Sequence, residues 1–266
     1  MSAALERWIH LPLAEGLGWA LFHSLWQGAL IAVVLAAALG VFRPSSPRVR
    51  YALACLALGA FPLVFGVTLG LSMPSGSAGI EALLGEAPVT DLSAPRAWAA
   101  RSFTVPLWDR LGERLPWMVP FWMAGVLVLY GRTLGGWIAA QRLRKKAVRP
   151  APAGWQERLE RLARRLRLSR PVHLVESWLV EAPAVIGVLR PVVLVPVGAV
   201  TGLAPQQLEA LLAHELAHIR RLDGLVNMLQ KLVEGMLFYH PAVWWVSGVV
   251  RAERENCCDD VAVSIC

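Results

Sequence analysis

Three stretches of the chain consist almost entirely of apolar residues: 17–42, 51–73 and 117–140. Each is longer than the roughly 20 residues that an α-helix needs to cross the hydrocarbon core of a bilayer. The pattern therefore predicts three transmembrane helices within residues 1–140, followed by a second domain over 141–266. The connection 74–116 is rich in Gly, Ser, Ala and Pro, and it is predicted to be a largely irregular external loop.

Leucine and isoleucine recur every three or four residues over 205–219, which predicts an amphipathic helix. This helix contains the motif His-Glu-x-x-His at residues 214–218. Residues four apart share a helix face, so His214 and His218 can offer imidazole nitrogens to one metal ion. Glu215 is then placed to take a proton from the attacking water. The alternative is a helix that binds no metal, with histidines that form hydrogen bonds only to water or to the backbone.

Zinc is the expected metal, because catalytic zinc sites combine three protein ligands with one open position. The third ligand must come from an acid downstream of the histidines. The candidates are Asp223, Glu234, Glu253, Glu255, Asp259 and Asp260. Glu255 and Asp259 share a helix face, which suits one ligand and one carboxylate that orients a histidine. The pattern alone does not choose between Glu253 and Glu255.

Residues 225–250 are largely apolar and resemble a fourth span. A straight crossing would leave every later acid about 30 Å from the histidines. Pro241 disfavours helical geometry at the residue before it and supplies a break. We therefore predict a helical hairpin with arms 225–239 and 241–255, which dips into the membrane and returns to the same side.

Segments rich in β-branched residues, 171–175, 184–189 and 192–196, predict a small sheet just before the metal-binding helix. In zinc proteases of this layout, an edge strand binds the substrate as an added strand. Residues 184–188 are the candidate strand, and Val185, Ile186 and Gly187 are the candidate substrate contacts. A purely structural hairpin is the alternative.

Residues 155–168 repeat leucine every three to four positions among arginines and predict a basic amphipathic helix. One interpretation places this helix on the inner membrane surface, against anionic lipid. The other is an ordinary helix packed on the second domain, with its charged face in water. The sequence favours neither.

Composition supports a membrane protein, because 56% of the residues are hydrophobic, 17% are charged and the mean hydropathy is +0.50. Arginine is concentrated in the link between the first two spans and again over 141–171, which holds eleven basic residues. By the positive-inside rule, both segments are cytoplasmic, and the N-terminus and the 74–116 loop are outside a bacterial-type inner membrane. The basic residues lie beside apolar spans, so direct nucleic-acid binding is not expected.

Taken together, the motifs resemble a known group of membrane proteases. His214-Glu215-Leu216-Ala217-His218 with Asp223, followed by Glu255-Asn256-Cys257-Cys258-Asp259, resembles the gluzincin pattern. His23-Ser24-Leu25-Trp26-Gln27, the Gly187–Pro196 segment and His240-Pro241 extend the resemblance to the antirepressor family of β-lactam sensor-transducers. By that resemblance His214, His218 and Glu255 hold zinc and Glu215 is the general base. Asp223 and Asp259 are expected to orient the ligands by hydrogen bonds without binding the metal themselves.

The resemblance implies a mainly α membrane protein with a cytoplasmic α+β gluzincin-like zinc protease domain. Its expected activity is cleavage of itself or of a cytoplasmic regulatory protein, such as a transcriptional repressor, during signal transduction. The bilayer is its expected partner, and a homodimer is one expected assembly. Sensors of this family carry a further span and an external domain after the protease. Since this chain stops at Cys266, it is expected to be a fragment or a receptor without that sensor.

Two other functions fit the same residues. One is a signalling scaffold whose zinc is structural and whose output is conformational. The other is a membrane quality-control protease of the wider gluzincin group, which cleaves broadly.

Overall fold

The structure is a computed structural model that describes residues 12–42, 44–73, 114–144, 146–187 and 190–265. Its helices, apart from a 3-10 turn at Leu115–Trp117, are α1 Pro12–Val41, α2 Pro47–Ser72, α3 Met118–Leu143, α4 Ala153–Arg165, α5 Val197–Gly202, α6 Pro205–Arg221, α7 Asp223–Met236 and α8 Pro241–Ile265. Its strands are β1 Val148–Pro150, β2 His173–Ser177, β3 Ala184–Ile186 and β4 Val192–Pro196. Most of the predicted loop 74–116, together with Val188 and Leu189 of the predicted strand, lies outside the described residues.

Three of the described helices are long and apolar enough to cross a bilayer, and they cover Leu13–Val41, Pro47–Ser72 and Leu115–Leu143. The three predicted spans are therefore confirmed as helices. Their ends lie a few residues from the predicted ones, because polar turns such as Pro47–Arg50 continue the helix beyond the apolar run.

Contacts between residues divide the described chain into two compact units, and the first contains residues 12–30, 60–73 and 114–125. Within this unit, the Nε2 of Gln27 donates to the Oγ1 of Thr68 at 2.9 Å, which links α1 to α2. An interhelical hydrogen bond is the usual role of a polar side chain within a membrane span, and Gln27 makes one. His23 instead accepts a hydrogen bond from Trp26 of its own helix, at 3.0 Å.

The second unit, formed by residues 31–59 and 126–265 where they are described, contains a four-stranded sheet in the order β1-β2-β4-β3. The strands β2 and β4 are parallel, whereas β1 and β3 pair antiparallel with their neighbours. The predicted small sheet is confirmed, and within it β3 pairs with β4 so that Val185 lies opposite Val193. The strand predicted at 171–175 is shifted to His173–Ser177, because Pro171 has no N–H to offer to the ladder.

The helix α4 packs its leucines into the core of this unit. Leu159 and Leu162, with Leu166 at the residue after the helix, are buried in one cluster with Leu208 and Leu212 of α6. Because protein covers these leucines, they are not available to insert into lipid. The apolar face of α4 is therefore packed on the domain, as the second interpretation predicted, and any contact of this helix with anionic lipid would involve its basic face. Arginines of the opposite face, such as Arg161 and Arg164, are exposed.

The apolar region after α6 is broken, as predicted, into the two helices α7 and α8 with a turn at residues 237–240. Pro241 begins α8, where its missing N–H leaves no hydrogen bond unmade, and the Nδ1 of His240 accepts from the backbone N–H of Ala242 at 3.1 Å. The predicted second arm, 241–255, was too short. The helix continues to Ile265 because Cys258 and Val261 bury themselves in the core beside α6.

Buried polar side chains join the two arms of this hairpin. The Nε2 of Gln230 donates to the backbone oxygen of Ser247 at 2.8 Å and to its Oγ at 2.6 Å. Glu234, which is 3% exposed, accepts from Arg251 at 2.6 Å and from Lys231 at 2.7 Å, and the hydroxyl of Ser247 also donates to it. The network ties α7 to α8 and so sets where the later acids of α8 lie.

Candidate metal centre

The two histidines of α6 face each other across one turn of the helix. Their Nε2 atoms lie 3.2 Å apart. The helix α8 packs beside α6 and brings the Oε2 of Glu255 to 3.5 Å from the Nε2 of His214 and 3.5 Å from that of His218. All three ligand atoms lie within 4.8 Å of one another.

These spacings fit a tetrahedral zinc site. Ligands that each lie about 2.0–2.1 Å from zinc are about 3.3–3.4 Å from one another, close to the three distances in the structure. The donor set of two imidazole nitrogens and one carboxylate oxygen is that of a catalytic zinc site with one open position. His214, His218 and Glu255 therefore suit zinc in both chemistry and spacing.

The Nδ1 atom of each histidine, the ring nitrogen that points away from the metal position, lies within hydrogen-bond distance of a carboxylate. The Nδ1 of His218 lies 2.8 Å from the Oδ2 of Asp223, and the Nδ1 of His214 lies 2.9 Å from the Oδ1 of Asp259. An Nδ1–H that donates to a carboxylate leaves Nε2 with its lone pair directed at the metal position. Asp223 and Asp259 thus lie in the positions predicted for carboxylates that orient the histidines.

The two supports differ in burial. The side chain of Asp223 is 5% exposed, whereas that of Asp259 is 67% exposed. Burial alone would raise the pKa of Asp223, but the hydrogen bond with His218 and the charge of Arg221 hold it below its usual value. Burial alone would lower the pKa of His218, but the hydrogen bond and charge of Asp223 raise it. Asp223 therefore remains a carboxylate and keeps His218 in one orientation.

The structure separates Glu253 from Glu255, between which the residue pattern alone did not choose and of which the resemblance implied Glu255. Glu253 makes an ion pair with Arg50, at 2.9 Å from its Nε, and accepts from Asn256 at 3.2 Å. Glu255 lies against both histidines. Among the described residues, two groups have the spacing to hold a metal ion, His214–His218–Glu255 and His218–Asp223–Cys258, and the first is the one that contains both histidines of the motif.

A cleft of about 260 Å³ opens beside the histidines. Glu215 lines it and is 9% exposed. Burial raises the pKa of Glu215, although the neighbouring His218 and His214 oppose the shift. A carboxylate whose pKa is raised toward pH 7 accepts and returns protons more readily than an exposed carboxylate with an ordinary pKa.

The predicted substrate strand reaches this cleft. β3 is an edge strand of the sheet, and Val185 and the adjoining Gly187 line the cleft. Ile186 projects to the opposite side of β3, because successive residues of a strand alternate in direction. Gly187 has a φ of +100°, and a Cβ there would lie 2.8 Å from the carbonyl oxygen of Arg190, so glycine is required at this turn.

Further residues at the site had been given no role from the sequence. Asn227 and Arg254 line the cleft, and Arg254 donates to Glu255 at 3.2 Å. The Sγ of Cys258 lies 3.3 Å from the Nδ1 of His218 and 3.4 Å from Asp223. Asn227 had one available signal, since it is a polar residue one helical turn after Asp223 in an apolar segment.

Membrane-length helices joined to a domain with a histidine pair, a glutamate and an open cleft are the features of a membrane metallopeptidase. The family model described as BlaR1 peptidase M56 matches residues 92–266, and the chain belongs to this family of metallopeptidases. It is also 31% identical over 94 residues to the Regulatory protein BlaR1 of Bacillus licheniformis. That alignment covers 35% of this chain and 16% of the relative, so it spans less than a fifth of the relative's length. The resemblance seen in the motifs is confirmed.

Proposed function

We propose that this chain is a membrane zinc metalloendopeptidase that acts in signal transduction. The observation that carries the proposal is the convergence of His214, His218 and Glu255, with both histidines oriented by carboxylates. His214 and His218 would each bind zinc through Nε2, and Glu255 would bind it through a carboxylate oxygen. When bound, zinc supplies a Lewis acid that polarises the scissile carbonyl and lowers the pKa of the attacking water.

Glu215 would act as the general base. Its carboxylate would take a proton from the attacking water and pass it to the nitrogen of the leaving amine. Its position in the cleft and its raised pKa support this role. Burial limits competing contact with bulk water, and both neighbouring histidines favour the ionised form that accepts the proton.

The substrate would bind as an extended peptide along β3. An edge strand leaves backbone N–H and C=O groups available for pairing, and these recognise a chain independently of its sequence. Val185 and Gly187 would form the wall of the cleft at this edge. Ile186, on the other face of β3, would support the strand.

Two features support a hairpin that enters the membrane. The hydroxyl of Tyr130, thirteen residues before the end of α3, donates to the carbonyl oxygen of Leu232 on α7 at 2.8 Å. Thirteen helical residues span about 20 Å, so this contact lies deep along the third span. α7 also exposes an apolar face, formed by Leu225, Met228, Leu229 and Leu232. A lipid environment would cover that face.

The site would lie on the cytoplasmic side of a bacterial-type inner membrane, because the basic segments at 43–50 and 141–171 favour that side. The substrate would be a cytoplasmic regulatory protein, such as a repressor, or a second copy of the chain within a homodimer. The similarity to the Regulatory protein BlaR1 of Bacillus licheniformis supports a regulatory role.

The test compares full-length protein with Glu215→Gln in cells that produce it, using mass spectrometry to detect new fragments. We expect zinc content to stay the same and cleavage to fall by about 10²–10⁴-fold, the usual contribution of a general base. Glu209→Gln is the matched control, since Glu209 lies on the same helix but pairs with Arg158. Equal cleavage by the Glu215→Gln protein would contradict the proposal, and zinc-loaded parent protein that never cuts would favour a scaffold.

A further inference from the structure

The beginning of α2, one of the membrane-length helices, makes two contacts close to the metal centre, one with the supporting carboxylate Asp223 and one with Glu253 on the helix that carries Glu255. The hydroxyl of Tyr51 donates to the Oδ1 of Asp223 at 3.4 Å. One residue earlier, the Nε of Arg50 lies 2.9 Å from the Oε2 of Glu253. These contacts reach both helices that follow the histidines, because Asp223 begins α7 and Glu253 belongs to α8.

Asp223 shares its two oxygens between the metal centre and α2. Its Oδ2 holds the Nδ1 of His218, while its Oδ1 faces Tyr51 and the Nε of Arg221, each at 3.4 Å. The guanidinium of Arg221 also stacks over the ring of Tyr51, 4.5 Å from its centroid. Asp223 is 4% exposed, so protein groups rather than water determine where its carboxylate lies. A shift of Tyr51 would therefore move the partner of His218.

The second contact acts on the remaining ligand. Glu253 precedes the candidate ligand Glu255 by two residues on the same helix. Arg50 is itself anchored, because it also donates to the carbonyl oxygens of Pro44 at 2.9 Å and Ser45 at 3.3 Å. The side chains of Arg50 and Glu253 are 26% and 14% exposed, so their ion pair is better shielded than a surface pair. It holds this part of α8 against the end of α2.

We propose that Arg50 and Tyr51 are positioning residues, through which α2 sets the spacing between the histidines and Glu255. The inference rests on the proposed function, since it assumes that these three residues bind the metal. The two contacts address different ligands, so a displacement of α2 in the membrane would change the relative positions of His218 and Glu255. A membrane helix would in this way control the metal affinity and the activity of the centre.

The experiment measures the zinc dissociation constant of the full chain in detergent or nanodiscs, by competition with a chromogenic chelator. The absorption spectrum of the cobalt-substituted protein reports ligand geometry without any substrate. We expect Arg50→Glu to weaken zinc binding by about tenfold, the low end for residues that support ligands, and to change the cobalt spectrum. Tyr51→Phe keeps the ring against Arg221 and removes only the hydroxyl, so a smaller change in the same direction is expected.

Arg48→Glu is the matched control. Arg48 lies in the same first turns of α2, is exposed, and makes no hydrogen bond or ion pair with α7 or α8 within the described part of the chain. The Arg48→Glu substitution changes the charge as Arg50→Glu does but breaks no contact with α7 or α8. It should therefore leave zinc affinity and the cobalt spectrum unaltered. The charge exchange Arg50→Glu with Glu253→Arg should restore zinc affinity to within about threefold of the parent, because it rebuilds the ion pair in the opposite sense.

The inference is overturned if Arg50→Glu binds zinc like Arg48→Glu, or if the charge exchange binds no better than Arg50→Glu alone. Failure of the proposed function has a different signature. In that case His214→Ala would retain the zinc content of the parent, whatever the Arg50 variants do, and both proposals would fall together.

Discussion

Each histidine of the metal centre depends on a carboxylate, and the two carboxylates have very different surroundings. Asp223 is buried and also contacts Arg221, Tyr51 and the thiol of Cys258. Asp259 is largely exposed. Water screens an exposed pair and can replace its carboxylate, whereas a buried pair has no substitute. The orientation of His218 should therefore depend on its partner far more than that of His214.

Replacing these carboxylates one at a time tests the difference. Asp223→Asn should weaken zinc binding by about 10–100-fold, because the amide carries no charge. Its NH₂ group would also face the N–H donor of Arg221 or of His218, where the carboxylate had offered an acceptor. Asp259→Asn should change zinc affinity by less than about threefold, since water can take the place of its carboxylate. Chelator competition on the purified full chain gives both dissociation constants. Equal losses in the two variants would contradict the role assigned to burial.

At the scale of elements, the position of α8 depends on the hairpin that it forms with α7. The hydrogen bonds among Gln230, Ser247 and Glu234 join the two arms. Tyr130 of α3 packs against the last turn of α7 and donates a hydrogen bond to the carbonyl oxygen of Leu232. Gly235 makes this approach feasible, because a Cβ at that position would lie 2.2 Å from the Cε1 of Tyr130. The hairpin is thus held from inside by polar groups and from outside by a close helix contact.

Gly235→Ala should destabilise the protein by about 1–3 kcal/mol, because the added methyl group displaces Tyr130 from a packed position. Gly248→Ala is the matched control within α8. A Cβ there meets no atom within 4 Å, so the change should stabilise the helix by about 0.5–1 kcal/mol. Thermal unfolding in detergent measures both. Combining Gly235→Ala with Tyr130→Ala should recover part of the loss, and a stabilising Gly235→Ala would show that Tyr130 does not pack there.

For the whole molecule, orientation in the membrane decides which proteins the metal centre can reach. Basic residues are concentrated in the link between the first two spans, at 43–50, and after the third span, at 141–171. By the positive-inside rule, both segments are predicted to be cytoplasmic. The exposed Arg161 and Arg164 of α4 add positive charge to the surface of the second unit, although the leucines of that helix are buried in the core. This charge would favour an anionic inner leaflet without insertion of the helix.

Single cysteines introduced into the full chain test this orientation. Ser75→Cys should react with a membrane-impermeant maleimide in intact cells, whereas Ser45→Cys and Ser169→Cys should react only after the membrane is permeabilised. Labelling of the parent chain is subtracted as the background from its own cysteines. The reverse pattern would place the metal centre outside the cell and rule out a cytoplasmic substrate.

Much of the fold was predictable because its signals are local. The length of an apolar run predicts a span, the spacing of two histidines by four places them on one helix face, and Pro241 breaks the helix after α7. The strand β2 was predicted two residues too early and the end of α8 ten residues too early, because those boundaries depend on strand pairing and on burial against distant residues.

The sequence by itself determined the membrane helices, the paired imidazoles beside Glu215 and the hairpin, since each follows from residues close together in the chain. Apart from the family resemblance, only the tertiary structure decided which downstream acid lies against the histidines. Glu253 and Glu255 are separated by about 200° around a helix, so the rotation of α8 chooses between them, and that rotation depends on packing against α6 and on the contact with Arg50. The contacts of Arg50 and Tyr51 with α8 and α7 join residues about 170–200 positions apart, which no local pattern records.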